Sequence, residues 1–291
     1  MMRSMYAAVA GLRNHQIRMD VIGNNIANVN TVGFKSSRVT FQDTFYQMIR
    51  AGSAPDLEGG VGGTAPRQVG IGMALNSIDT YFTQGAVLPT GNFTDLMIQG
   101  DGLFMVSANP EAQVEAGATE APSAEVLYTR AGVFGFDAAG NLVNKANGMY
   151  VLGAEVAEDG TYGSTFGKIT IEDFASANTV TLNSRGEIVV DGVPKFVVGL
   201  AKFPSPEGLT KAGQNLFAVD PSAGVPQIGT AGNSEAGLGN TTIVPGALEM
   251  SNVDLALEFT EMITTQRGFQ ANARTITTSD EMLQELVNLK R

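Results

Sequence analysis

No cysteine and no tryptophan occur in the 291 residues, and histidine occurs once, as His15. The missing cysteines exclude a disulfide framework and thiolate metal sites. A single histidine without cysteine also excludes a histidine-based zinc site, and leaves His15 as the sole base for a Ser-His-Asp triad. The missing indoles argue against a sugar-cleaving enzyme with an aromatic platform. Apolar runs fall far short of the ~18 residues of a membrane span. Asn14, His15, Gln16 and Arg18 interrupt any signal-peptide core, so no secretory leader is expected. Catalytic motifs stop short as well. Gly163 to Ile169 has too few residues between its glycines for a phosphate loop, and Ile169 follows Lys168. Gly232-Asn233-Ser234-Glu235-Ala236 ends in alanine where a nucleophile elbow has glycine. The formal charge of −11 argues against nucleic acid, which rewards clustered Lys and Arg. No catalytic, cofactor-binding or metal-ligating residue is expected.

What the chain does have is uneven charge and two heptad stripes. Residues 1–50 sum to +4, residues 51–250 to −13 and residues 251–291 to −2. The acid therefore concentrates in the middle, as suits a solvated body. Near the C-terminus, Leu255, Phe259, Met262, Phe269, Ala273, Ile276, Leu283 and Val287 follow alternating steps of four and three, interrupted by Gln266 and Asp280. That is the a/d seam of a coiled-coil-like helix. Ser251 with Asp254 three residues on fits a capping box, and no proline follows Ser251. Met2, Met5, Val9, Leu12, Gln16, Met19, Gly23 and Ile26 repeat the step at the other end. Residues 1–30 and 252–291 are thus read as one terminal helical domain whose two helices pair. The stripes fit either a seam buried on assembly or two ordinary helices docked on a core.

Between these ends the pattern changes. Asn24, Asn25, Asn28 and Asn30 favour caps and turns over helix interiors, so the first helix is expected to end among them, with Gly33 making a turn. Residues 36–50 read as strand then helix. Residues 51–70 are Gly- and Pro-rich, and residues 31–70 with 240–251 are read as an extended linker region. Residues 71–239 form many short strands between turn residues, which means an all-β, sandwich- or barrel-like body. Leu96–Ile98 and Leu103–Val106 flank Gly100-Asp101-Gly102 as an expected hairpin, and residues 107–125 read as an exposed loop. Further hairpin turns are expected at 183–186 and 190–192. The fold class is therefore mixed α and β: two pairing terminal helices around an inserted all-β body without a separate outer domain.

The run Arg3-Ser4-Met5, Gly11-Leu12, Asp20 to Thr31 and Gly33-Phe34-Lys35 resembles the bacterial flagellar rod and hook (axial) protein family. The residues carrying the likeness there are Asn24, Asn25, Ala27, Asn28, Gly33 and Phe34. Asp95 to Val106, with Gly100 and Gly102, and Tyr128 to Phe134 resemble the family's central motifs, although Leu103 stands where the family usually has an aromatic. Ser251 and Asn252 at the start of the last helix, then Met262-Ile263, Gln266-Arg267 and Asn272, resemble its C-terminal signature. Within the family, Gly63 to Gly70, Thr83-Gln84-Gly85, the stretch Gly229 to Gly232 with Gly246 to Leu255, and Leu286 to Arg291 look more like hook subunits. The modest length and the Gly-rich stretch look more like distal rod subunits.

This resemblance implies a structural protein, not an enzyme, with no cofactor. It implies a hook subunit that polymerises helically into a hollow tube joining rod to filament, with a distal rod subunit as the alternative. Expected partners are copies of itself, other flagellar axial proteins (rod, hook cap, hook–filament junction) and the type III export apparatus, with no nucleic acid and no membrane span. The expected place is outside the cell, in the hook or basal body. The terminal helices would line the channel and the β body would form the wall. An unrelated reading, a secreted β-rich enzyme using two carboxylates, lacks an aromatic platform. A monomeric binding module has no motif in its favour.

Overall fold

The computed structural model describes residues 2–54, 62–116, 125–157, 161–172, 174, 179–234 and 236–289. The chain divides into two compact units. One comprises Met1–Ala27, Ser37–Thr80 and Asp254–Arg291, and the other Asn28–Ser36 and Tyr81–Val253. Two helices that pack together and a body of β-strands make the fold mixed α and β.

In the first unit, helix α1 spans Met2–Ala27 and helix α2 spans Leu255–Asn288. They run antiparallel, since Gly11 meets Asn272, His15 meets Gly268 and Asn25 meets Glu258. The capping box expected at Ser251 does not form. Asp254 caps α2 instead, its carboxylate accepting from the amides of Ala256 at 2.9 Å and Leu257 at 3.3 Å. The Ser251 hydroxyl accepts from the Val253 amide before the helix begins. Helix α1 also continues through Asn24 and Asn25. Asn25 is buried, and tertiary partners replace the local backbone bonds that would otherwise have favoured a cap.

Two hairpins complete this unit. Ser37–Asp43 pairs antiparallel with Met73–Thr80, with a bulge between Thr40 and Phe41. Tyr46–Arg50 pairs with Arg67–Gly70. The helix expected toward residue 50 is therefore a strand: so short a stretch gains little from helical bonds and finds ladder partners across the hairpin. Residues 37–80, which composition divides between linker and body, cluster with the helices. Residues 55–61 of the Gly-rich stretch lie outside the described residues.

The second unit is built on a sheet with the strand order Val180–Leu182, Glu187–Val190, Val193–Val198, Tyr150–Glu155, Leu103–Ser107, Val126–Thr129, Leu216–Ala218, Thr210–Gly213, and further strands branch from it. Every residue of Leu103–Ser107 is buried. Phe104 and Val106 enter one apolar layer while Leu103 and Met105 enter the other, as period-two alternation requires. Each large side chain so buried contributes about 1.5–3 kcal/mol. The turns at 183–186 and 190–192 join paired strands as expected, the latter with Asp191 and Gly192 at φ 50° and 87°.

The hairpin expected across Gly100-Asp101-Gly102 is absent. Leu96–Gln99 pairs with Thr242–Pro245, whereas Leu103–Ser107 pairs with other strands. Gly100 and Gly102 adopt φ 109° and 124°, and this pair of unusual backbone turns carries the chain from one sheet into another. Within the expected loop 107–125, Val114–Glu115 pairs with Thr165–Lys168, and residues 117–124 lie outside the described residues. Within the expected linker 240–251, Thr242–Pro245 and Ala247–Glu249 are strands, the second paired with Val87–Pro89.

Candidate functional site

The residues weighed for catalysis belong to different units. The His15 ring stands edge-on to Phe41, 5.9 Å between centroids, in the first unit. Burial, and then the Arg18 charge, push its pKa below the ordinary histidine value. Ser234 is exposed in the second unit, and Glu235 of the same motif lies outside the described residues. Among the described residues, no three His, Asp or Glu side chains gather as a metal site, and no helix is long and apolar enough to cross a membrane.

The helix pair presents a different picture. On α2 the covered face is Glu258, Met262, Thr265, Phe269, Asn272, Ile276, Ser279 and Leu283, again stepping by fours and threes. Met262, Phe269, Ala273, Ile276 and Leu283 of the expected seam are half-buried there, while Leu255, Phe259 and Val287 are exposed. On α1, Met5, Leu12, Met19 and Ile26 are half-buried and Val9 is exposed. Fully covered instead are Ala8, Gly11, Asn14, Ile22 and Asn25. Apolar periodicity misses these because half of the face is polar or has almost no side chain.

Those polar residues set the register. A Cβ on Gly11 would stand 2.6 Å from Asn272 Nδ2, and one on Gly268 would stand 2.9 Å from the His15 ring. Each helix thus supplies a glycine to receive a polar side chain of the other. Arg18 pairs with Glu261 at 3.0 Å. The Asn25 amide donates to Glu258 at 2.9 Å and to the Ser37 carbonyl at 2.8 Å, and its oxygen accepts from the Ser37 amide. Burial raises the Glu258 pKa, an effect the Asn25 hydrogen bond opposes. Asn14 donates to the Met73 carbonyl at 2.7 Å, which ties α1 to the hairpin.

Much apolar surface of this unit is uncovered. On α2 it includes Leu257, Phe259, Ile263, Leu286 and Val287. On the outer hairpin, Tyr46, Met48 and Ile49 are exposed, and Phe45 just before it is 88% exposed. Exposed apolar side chains in such number are candidates for burial against a partner.

The second unit holds a buried ion cluster. Glu249, with no exposed surface, lies 2.6 Å from Lys35 Nζ and 2.5 Å from Arg130 Nε. Its carboxylate also accepts from the Gly85 amide, and its carbonyl from the Gly33 amide, both at 2.8 Å. Arg130 further donates to the carbonyls of Gly102, of Gly100 at 2.6 Å and of Ile98 at 3.1 Å. The carbonyls freed by the Gly100-Asp101-Gly102 turn therefore point at a guanidinium. Burial alone would raise the Glu249 pKa, but Arg130 and Lys35 overcome it and hold the carboxyl below its ordinary value. Burial lowers the Lys35 pKa, and Glu249 only partly restores it. Gly33, at φ 69°, lies so near Ala131 that a Cβ would stand 2.6 Å from its nitrogen. Asn252 accepts from the Ser36 amide and donates to the Tyr81 carbonyl, and the Tyr81 amide donates to the Ser36 carbonyl. Of the family-motif residues on α2, Gln266 and Arg267 are exposed, away from the face that meets α1.

Two pairing helices at the chain ends, a β body in the sequence between them and a buried ion cluster joining three separate segments are the features to be placed. Comparison with known proteins places them. Residues 5–35 match "Flagella basal body rod protein", residues 97–190 "Flagellar hook protein FlgE/F/G D1 domain" and residues 244–289 "Flagellar basal body rod FlgEFG protein C-terminal". Lys35, Arg130 and Glu249 come one from each matched region. Over the full length of both chains, it is 42% identical to the flagellar basal-body rod protein FlgG of Bacillus subtilis (strain 168). It is 31% identical to the flagellar hook protein FlgE of Borreliella burgdorferi, again with all of both chains covered. FlgG of Caulobacter vibrioides is 34% identical over 99% of this chain and all of its own. The chain belongs to the flagellar rod and hook axial protein family, and is a structural component of that axis.

Proposed function

We propose that this chain is a distal rod subunit of the flagellar basal body, in place of the hook subunit favoured by the local motifs. The observation carrying this reading is identity at matching length. The alignment with B. subtilis FlgG needs 296 positions for 291 residues, whereas those with hook proteins of Borreliella burgdorferi and Treponema pallidum extend to 463 and 484.

In this reading the chain assembles with copies of itself and with neighbouring axial proteins, after passage through the flagellar export apparatus to a place outside the cytoplasmic membrane. The exposed faces of α1 and α2, with Val9, Leu255, Phe259 and Val287, and the outer hairpin are the surfaces that neighbouring subunits cover. Each large side chain buried there contributes about 1.5–3 kcal/mol per subunit. The test is replacement in B. subtilis. Expressed in a strain lacking FlgG, the chain restores complete rods in isolated basal bodies, and in a strain lacking its hook protein it restores nothing. Hooks built from this chain would overturn the rod assignment.

A further inference from the structure

Segments 28–36 and 246–253 adjoin α1 and α2 in the chain, and within the second unit they share one set of anchors. We infer that they form a single strap, latched by Glu249, which opens as one piece while the main sheet stays folded. This does not depend on whether the chain builds rod or hook.

Three observations carry it. First, the strap lies outside the main sheet. Among the described residues, the strand Ala247–Glu249 pairs only with Val87–Pro89, three exposed residues, in a two-stranded ladder of its own. Second, the two segments hold each other. Gly33 donates to the Glu249 carbonyl, Lys35 reaches the Glu249 carboxylate, and the Ser36 amide donates to Asn252. Third, the two cations differ. Arg130 is fixed by the carbonyls of Ile98, Gly100 and Gly102, all belonging to the body. Besides Glu249, Lys35 has the Thr83 carbonyl, at 2.7 Å. Glu249 therefore joins a cation that stays with the body to one that leaves with the strap. Opening exposes Lys35 and Glu249 to water, which offsets part of the lost pairing, and Arg130 keeps its carbonyl partners. An apolar strap would offer no such compensation.

Native-state hydrogen exchange of the full chain in low denaturant tests this. In the wild type, the amides of Gly33, Ser36, Gly85 and Met250 exchange through one shared opening, about tenfold or more faster than those of Leu103–Ser107 and Val193–Val198, and with a smaller denaturant slope. Glu249→Gln speeds the first group about ten- to hundredfold, and the second by no more than that factor, because global unfolding includes opening of the strap. Val197→Ala, buried in the main sheet, speeds the second group and leaves the first unchanged. Lys35→Met speeds all four amides of the first group by one common factor. If the four amides share the rate and slope of the main sheet in the wild type, no separate strap exists, an outcome that requires no variant to fold. If Glu249→Gln leaves the first group unchanged, Glu249 is not the latch, and if Val197→Ala speeds the first group as much as the second, the strap does not open while the main sheet stays folded.

Discussion

Gly11 and Asn272 are matched across the helix pair: a Cβ at position 11 would stand 2.6 Å from the Asn272 amide nitrogen. Gly268 repeats the arrangement for His15 with the roles of the helices exchanged. Two glycines, costly in helix interiors, are thus spent on bringing α1 and α2 together around polar side chains.

Gly11→Ala should therefore fail to yield the stabilisation of roughly 1 kcal/mol that the change usually brings to a helix. Overpacking against Asn272 should instead make it destabilising by about 1–3 kcal/mol. Adding Asn272→Ala makes room, so the double variant should be more stable than Gly11→Ala alone. Thermal unfolding followed by helical circular dichroism reads the cycle, and strict additivity would remove the proposed contact.

The Glu249 cluster predicts an acid response. Because its folded pKa lies below the ordinary carboxylate value, its contribution is present at pH above the unfolded value and is lost as pH falls through the folded one. Urea midpoints measured from neutral pH downward should fall, and in Glu249→Gln that slope should be shallower. At neutral pH the variant should lose about 1.5–3 kcal/mol, since two buried cations lose their shared anion.

His15 predicts a second response in the other unit. Its folded pKa is lowered, so the unfolded chain binds the proton more readily, and the helix pair should weaken as pH falls below the ordinary histidine value. His15→Gln should flatten the helical unfolding midpoint over that range. An unchanged slope would mean that the ring titrates as in water.

The sequence disclosed the helices, the paired turns at 183–186 and 190–192 and the all-β character, because these rest on local periodicity and turn chemistry. It hid the helix register, since Gly11, Asn14, Asn25, Thr265 and Ser279 give no apolar signal. It misassigned Gly100-Asp101-Gly102 as a hairpin, because glycines that re-aim a strand look the same as glycines that reverse it. The ion cluster was invisible for a different reason. Lys35, Arg130 and Glu249 are far apart in sequence, and only the fold brings them to one carboxylate.

The exposed apolar face offers a further test. Phe259→Ser and Leu257→Ser should leave the stability of the dilute protein within about 0.5 kcal/mol of wild type, because both side chains already face solvent. Either change should raise the concentration needed for assembly about tenfold or more, following the burial lost per subunit. Light scattering across a concentration series measures it, and unchanged thresholds would assign that face to solvent.

Whether the terminal helices drive assembly is decided by electron microscopy of the concentrated protein beside Ile276→Asp. Ile276 is half-buried on the packed face of α2, and Asp280 already places a negative charge one turn away. Desolvating a further unpaired carboxylate there should cost several kcal/mol. Tubes are expected from the wild type and none from the variant, with the main-sheet thermal midpoint equal in both. Tubes of the same form from the variant, or a wild type that stays monomeric at every concentration, would contradict assembly through the helices.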